Sequence, residues 1–174
     1  MEVNTIIKAQ HSSYQTRADE YNNLWVLNSL NVLTYAVPKN LNYKFNDQFQ
    51  FQATAQAFKE ALGKERLQDL GDKKEGISLT YWLSPEGKIL EIEFIIKTNT
   101  TLSIEEIETV ENALKASLSF NLTWTDDQEA DFASMNTFFS FGDLIVFLDP
   151  STAGSVHTKI TRITLTPPPL PGLD

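Results

Sequence analysis

Hydrophobic and polar residues alternate most regularly between residues 76 and 97, and this alternation predicts a β-hairpin. The first strand places four apolar side chains on one face: Ile77, Leu79, Tyr81 and Leu83. In the second strand, one face carries the apolar residues Leu90, Ile92, Phe94 and Ile96, and the other face carries Ile89, Glu91 and Glu93. Between the strands, Pro85 presets a turn and Gly87 accepts a positive φ. One face of the hairpin is therefore apolar and needs a cover.

A helix predicted over residues 104–118 supplies that cover. Ser103 is followed three residues later by Glu106, the arrangement of a capping box. Glutamates fill the first turns and Lys115 lies near the end, as the helix dipole favours. The apolar stripe that would lie on the hairpin comprises Ile107, Val110, Leu114 and Leu118. Phe120, Leu122 and Trp124 then alternate as a third strand.

The N-terminal half predicts two helices. Residues 11–30 carry Tyr14, Ala18, Tyr21 and Trp25 at helical spacing, with Ser12 or Ser13 as the N-cap. Residues 26–37 also fit a strand, which Pro38 would end. The second helix follows Asn46, places Phe51, Ala55, Phe58 and Leu62 on one face, and ends at Gly63. The charged residues 64–75 predict a short turn of helix and an exposed loop.

The C-terminal third predicts two more strands, over residues 138–148 and 157–166. Gly142 and Asp143 interrupt the first of them, which suggests a turn or a bulge. A proline-rich tail, residues 167–174, closes the chain. We therefore expect one α+β domain over residues 1–166, with a mostly antiparallel sheet and two or three helices packed on one face.

Composition changes the range of possible partners. The chain of 174 residues carries 14 Lys and Arg against 23 Asp and Glu, a formal charge of −9. Without a basic cluster, neither nucleic acid nor an anionic membrane surface is an expected partner. There is no cysteine, so thiolate catalysis, cysteine zinc sites and disulfides are excluded. No stretch has the length and apolarity of a transmembrane segment.

Candidate catalytic and metal sites are weak. No glycines surround a serine as in a nucleophile elbow, no glycine-rich phosphate loop exists, and no carboxylate pair stands out. The acidic segment 126–131 is dense enough to attract calcium, but it lacks the glycine and the final glutamate of an EF-hand loop. We therefore expect no catalytic residue, no metal and no cofactor.

The segment from Gly76 to Phe94 resembles the hairpin of TonB C-terminal-like domains. In those domains a glycine precedes an alternating strand, a short acidic-glycine turn follows, and a second strand leads to a helix and a third strand; residues 102–120 are similar to that helix and its exit. Similar segments occur in secreted Bacteroidetes proteins of uncharacterised families. The resemblance implies a TonB-like unit over about residues 76–125, a periplasmic or cell-surface setting, and an exposed sheet edge that pairs with a peptide. The N-terminal membrane anchor of TonB is missing, so energy transduction is not implied.

Two functions follow as hypotheses, since no reaction can be read from the sequence. The first is a non-enzymatic domain of the cell envelope or of a secreted protein that binds a protein or peptide along a sheet edge. Its contacts would be Tyr81, Lys88, Glu91 and Glu93. The alternative is a cone-shaped domain, ligand-binding or enzymatic, whose pocket is lined by Tyr14, Trp25, Tyr81 and Phe139. A cytoplasmic setting stays open, because nothing fixes whether a leader peptide was removed.

Overall fold

The computed structural model describes residues 1–46 and 50–149. Eight strands and four α-helices follow one another along these residues, together with a 3₁₀ turn at Leu33–Tyr35. Their bounds are Ile6–Lys8 (β1), Ser13–Ala18 (β2), Asn23–Asn28 (β3), Tyr43–Phe45 (β4), Phe51–Leu62 (α1), Lys64–Asp72 (α2), Gly76–Leu83 (β5), Ile89–Lys97 (β6), Ile104–Ser117 (α3), Leu122–Trp124 (β7), Ala133–Ser140 (β8) and Phe141–Phe147 (α4). The α+β class is confirmed, with four helices in this part of the chain instead of two or three.

The main sheet has six strands in the order β1-β2-β3-β6-β5-β8, and every neighbouring pair is antiparallel. One face of this sheet packs against the helices. Its side chains form a continuous buried cluster with those of the four helices, including Val26, Ile77, Leu79, Ile92 and Phe94 from the strands. Successive side chains of a strand point to opposite faces. The strand residues that alternate with this buried set therefore lie on the sheet face away from the helices.

The hairpin and its covering helix are confirmed. β5 and β6 pair along their length, with a register shift between Trp82 and Leu83. At the turn, Gly87 has φ +84°, and a Cβ there would lie 1.6 Å from the carbonyl oxygen of Phe120. α3 begins at a complete capping box, in which Ser103 and Glu106 bond each other's backbone. The turn and the cap were therefore both encoded by short local motifs.

The helix expected over residues 11–30 is wrong, because β2 and β3 occupy that segment. β3 is buried on both faces from Leu24 to Leu27, so its apolar run is continuous and does not alternate. A turn joins the two strands: Asp19 accepts hydrogen bonds from the backbone N–H groups of Tyr21 and Asn23, and Asn22 adopts φ +59°. The strand alternative over residues 26–37 holds only for its first three residues.

Two further expectations change at the helices. The charged segment after Gly63 forms the full helix α2, whose apolar residues Leu67 and Leu70 are buried. The strand expected over residues 138–148 starts earlier, as β8, and becomes α4 at Phe141. Ser140 caps that helix by accepting from the backbone N–H of Asp143, 3.0 Å away. The strand expected over residues 157–166 and the tail lie outside the described residues, so the single domain over 1–166 stays a prediction.

The third strand of the hairpin–helix–strand unit exists but joins a different sheet. β7 pairs with β4 in a two-stranded sheet, and its backbone makes no ladder with the hairpin. An isolated bridge between Lys88 and Ser119 links the hairpin turn to the segment before β7. The hairpin and its helix are thus present, whereas the three strands do not form one sheet.

Two glutamates of α3 have a role that dipole and capping do not explain. Glu108 accepts from the backbone N–H groups of Gln10 and His11, both at 3.0 Å, and Glu111 accepts from the hydroxyl of Tyr14 at 2.6 Å. Burial and this bond raise the pKa of Tyr14 above its ordinary value. Burial alone would raise the pKa of Glu108, but the bonds that it accepts outweigh burial and lower it. The helix therefore holds the β1–β2 hairpin through buried carboxylates.

Candidate functional site

Neither strand of the hairpin lies at an edge of the sheet. β6 pairs with β3 on its other side, and β5 pairs with β8 over all eight of its residues. The edge strands of the described sheet are β1 and β8. The free edge expected on the hairpin is thus corrected, because β3 covers one side of the hairpin and β8 covers the other.

The four residues expected to contact a partner are in different environments. Tyr81 is fully buried among the side chains between sheet and helices, and burial raises the pKa of its hydroxyl. Lys88 is exposed at the hairpin turn. Glu91 and Glu93 lie on the sheet face away from the helices, and both are buried. Contact of these residues with a partner stays a prediction, and only the two glutamates share a neighbourhood.

The aromatic residues of the alternative hypothesis do not line one pocket. Tyr14, Tyr81 and Phe139 belong to the cluster between sheet and helices. Trp25 lies on the opposite face, in a separate cluster with Leu27 and Ile95. The cone with an aromatic-lined cavity is therefore not the arrangement that the fold produces.

The sheet face away from the helices, here called the outer face, carries polar groups in its centre. Glu93 sits between Leu27 of β3 and Thr80 of β5 in the sheet register. Trp25 on β3 lies opposite Ile95, two residues after Glu93, and Trp82 on β5 lies opposite Glu91, two residues before it. Both tryptophans are buried. The Glu93 carboxyl group is thus buried in the middle of the sheet, with two buried tryptophans at neighbouring register positions on the same face.

Burial controls the ionisation of Glu93. Its side chain is 1% exposed, and desolvation raises its pKa to about 8, although Thr80 and Arg17 oppose the shift. One oxygen accepts from the Thr80 hydroxyl at 3.4 Å. The other has no hydrogen-bond partner within residues 1–46 and 50–149. At neutral pH the group is therefore mostly protonated, which lowers the cost of burying it.

Residues 29–42, here called the strap, cross the outer face after β3. The Glu91 carboxylate accepts from the backbone N–H groups of Val32 (2.8 Å) and Leu33 (2.9 Å). The side-chain amide of Asn31 donates to the carbonyl oxygen of Ile92 at 3.0 Å. These bonds attach the start of the strap to β6.

The middle of the strap is attached through Tyr35. Its hydroxyl accepts from the guanidinium of buried Arg17 at 2.7 Å, and the guanidinium lies 5.6 Å from the centre of the Tyr35 ring. The same guanidinium donates to Gln15 at 3.0 Å. A buried cation therefore holds the strap by a hydrogen bond and a cation–π contact.

The acidic segment 126–131 fastens the far end of the strap. Asp126 accepts from the side chains of Asn40 and Asn42, and Asp131 accepts from the backbone N–H of Lys39 at 3.0 Å. The pKa of both carboxyl groups is lowered. At Asp126 the bond from Asn42 is the largest effect and exceeds the opposing effect of desolvation. At Asp131 desolvation is the largest single effect, but the hydrogen bonds that the carboxylate accepts together outweigh it. The candidate calcium ligands are thus used in fastening the strap. In the described chain no three His, Asp or Glu side chains converge on one metal position.

The outward side of the strap is apolar. Among the described residues, ten large hydrophobic side chains are exposed, and five of them belong to this one segment: Leu30, Val32, Tyr35, Val37 and Leu41. Leu30 is 83% exposed and Val37 is 86% exposed. Polar groups of the outer face hold the inward side of the strap, and apolar side chains of the strap face solvent. An ordinary surface loop exposes mainly polar side chains.

Little in the pattern of residue types predicts this site. Glu91 and Glu93 were selected because they alternate with apolar residues, but Arg17 and Tyr35 were missed. For the first part of the strap, the sequence pattern predicts the end of a helix or a strand. The one local signal is a run of apolar residues that asparagines interrupt and a proline ends. Such a run is atypical of a helix and of a strand.

The fold is shared with a solved structure. A DUF5043 family protein from Bacteroides uniformis ATCC 8492 superposes with a TM-score of 0.64 at 19% sequence identity, covering 79% of this chain and 85% of that chain. No protein-family model matches the sequence, and no curated protein does. The fold is therefore shared with a protein from a Bacteroides species, whereas likeness to TonB is not shown. Within the described ranges, no helix has the length and apolarity needed to cross a bilayer.

Proposed function

We propose that this chain is a non-enzymatic protein-binding domain that docks onto its partner through the strap. The observation that carries the proposal is the concentration of exposed apolar side chains on one segment that is tied to the sheet. A loop that is held in place loses little conformational entropy on binding, so its exposed apolar area converts more fully into affinity. Exposed apolar groups gathered on one surface commonly mark protein interfaces.

The charges around the strap define the partner's chemistry. The strap itself carries one charged residue, Lys39, and Glu129 neutralises it at 3.0 Å. Acidic residues adjoin its far end, and the whole chain has a formal charge of −9. The best complement is a protein surface with an apolar centre and a rim of Lys or Arg. A second copy of this acidic chain would meet like charge instead.

Glu91 contributes to this function by positioning the strap. Its carboxylate is the acceptor for two strap N–H groups, so it fixes where Val32 and its neighbours lie. Glu91, one of the four partner contacts expected from the sequence, thus takes part in the proposed binding by holding the strap and does not itself touch the partner. Binding along a sheet edge is replaced by binding on the strap.

We also propose the periplasm or the cell surface as the compartment. The support is the resemblance in sequence of residues 76–120 to domains of the envelope and of secreted proteins; the cysteine-free composition is compatible with this compartment and equally with the cytoplasm. Fractionation of cells that produce the protein with its native upstream coding sequence tests this. Recovery in the envelope or medium is expected, and recovery only in the cytoplasm would contradict the proposal.

Photo-crosslinking in the native cell tests the docking surface. A photo-reactive phenylalanine derivative replaces Val37 in one sample and Gln56, exposed on α1, in another. We expect an adduct of one defined mass from position 37 and none of that mass from position 56. Equal adducts from both positions, or none from position 37, would contradict docking through the strap.

A further inference from the structure

A groove lies at one end of the main sheet, away from the strap. It has a volume of about 400 Å³ and is formed where α2 ends, β5 begins and β6 ends. Its lining residues are Lys73, Lys74, Glu75, Gly76, Lys97, Asn99 and Thr101. Three of the chain's 14 basic residues thus meet around one opening in a strongly acidic protein.

Positive charge predominates in this groove. The carboxylate of Glu75 is occupied by the chain itself: it accepts from the hydroxyls of Thr100 (2.5 Å) and Thr101 (2.7 Å), and from the backbone N–H of Thr101. Lys73 is paired with Asp69 at 2.8 Å, whereas the partners of Lys97 among residues 1–46 and 50–149 are neutral oxygens, those of Asn23 and Tyr21. Three lysines and one glutamate line the opening, so positive charge exceeds negative charge among its lining residues.

Lys74 occupies a backbone position that favours glycine. Its φ is +57°, and its N–H and that of Glu75 bond to carbonyl groups of the last turn of α2, at Gly71 and Leu70. This is the geometry of a left-handed C-terminal cap, where glycine is the common residue because it has no Cβ. The negative end of the helix dipole stabilises a lysine there, but it does not account for Lys97 on another element.

The type of cation indicates the type of anion. All three groups are ammonium ions, which act as compact point charges, and no guanidinium lines the groove. The nearby Arg66 is already engaged by Glu106, Asp69 and Thr101. A planar carboxylate is best matched by the forked donors of arginine, whereas several point charges suit a compact anion with more than one negative charge.

We propose that this groove binds a small tetrahedral oxyanion of the phosphate or sulfate type, held by Lys74 and Lys97 with Lys73 at its rim. The site is independent of the strap and of the protein-binding function. A neutral donor on the same walls, the side-chain amide of Asn99, can add a hydrogen bond to such an anion.

Titration with inorganic phosphate tests the site. The backbone amide signals of Gly76, Asn99 and Thr101 are followed by two-dimensional NMR, with sodium chloride adjusted to keep the ionic strength constant. We expect saturable shifts confined to this groove, and the same with sulfate. Shifts that do not saturate, that chloride alone reproduces, or that spread over the whole protein would overturn the proposal, as would equal affinity for acetate.

The sharpest variant is Lys74→Gly, because it removes the charge and relieves the left-handed backbone. Its melting temperature should not fall, so a loss of binding cannot come from unfolding. Losing one ion-pair partner is expected to raise the dissociation constant about fivefold, as is Lys97→Gln. The matched control is Lys64→Gln, which removes the same charge at the other end of α2, ~13 Å away. Its dissociation constant should change less than about twofold; equal effects of Lys74→Gly and Lys64→Gln would overturn the proposal.

Discussion

Glu93 and Glu91 lie two residues apart on one face of one strand, yet they differ in hydrogen bonding and in burial. Glu91 accepts two backbone hydrogen bonds, whereas Glu93 accepts one weak bond and is more deeply buried. Alternation in the sequence identified both as lying opposite the apolar face. It could not separate them, because the difference comes from the strap and from β3, which approach from elsewhere in the chain.

The raised pKa of Glu93 makes stability depend on pH. Below about pH 4.5 the carboxyl is protonated in both the folded and the unfolded chain, so its contribution is fully favourable. As pH rises towards 8, the unfolded chain releases the proton and the folded chain keeps it, so the free energy of unfolding falls. The loss from this one group is on the order of a few kcal/mol.

The substitution Glu93→Gln should remove this dependence, since the amide has a similar shape and does not ionise. Urea unfolding at pH 5 and pH 8 measures it. We expect similar stability of the two proteins at pH 5 and a more stable variant at pH 8. If the variant's stability falls with pH as steeply as that of the wild type, Glu93 does not titrate as described.

Gly87 supports a second prediction at the scale of one residue. Gly87→Ala would place a methyl group against the Phe120 carbonyl at a positive φ, so a destabilisation of more than about 2 kcal/mol is expected. Gly142→Ala is the matched control, because its Cβ would meet nothing closer than 3.7 Å and it lies in a helix. That change should be neutral or stabilise by up to about 1 kcal/mol. Urea unfolding of both variants checks this, and equal effects would contradict the close approach at the turn.

At the scale of elements, local motifs determined what could be predicted. The hairpin, α1 and α3 follow from alternation, helical spacing and caps that act within a few residues. The segment 11–30 fits helical spacing equally well, and what decides it is burial of β3 between β2 and β6, a tertiary effect. α4 could have been found, because Ser140 and Asp143 have the spacing of an N-terminal cap.

The strap is the element that the sequence did not reveal, and its attachment gives a prediction. Glu91→Ala removes the acceptor for two backbone N–H groups. We expect faster hydrogen exchange at Val32 and Leu33 and a stability loss of about 1–3 kcal/mol. Glu60→Ala on the exposed surface of α1 is the control and should change neither. Unchanged exchange at Val32 and Leu33 in Glu91→Ala would show that Glu91 does not hold the strap.

At the scale of the whole molecule, one face of the sheet builds the fold and the other supports the candidate interface. The helices cover the first face with a continuous apolar cluster. The second face carries polar groups that attach a loop whose apolar side chains point outward. Composition disfavours nucleic acid and so favours a protein as the partner, which stays a prediction. The location of the interface required the sheet order, which no local pattern encodes.

Competition for the Val37 photo-adduct tests protein binding by the strap most directly. An excess of purified wild-type protein is added before irradiation in one sample, and an excess of the Leu30→Asp/Val37→Asp double variant in another. Both positions are highly exposed, so the variant should fold normally, which its melting temperature checks. We predict that the wild type suppresses the adduct and the folded variant does not. Equal suppression by both proteins would contradict docking through the apolar strap.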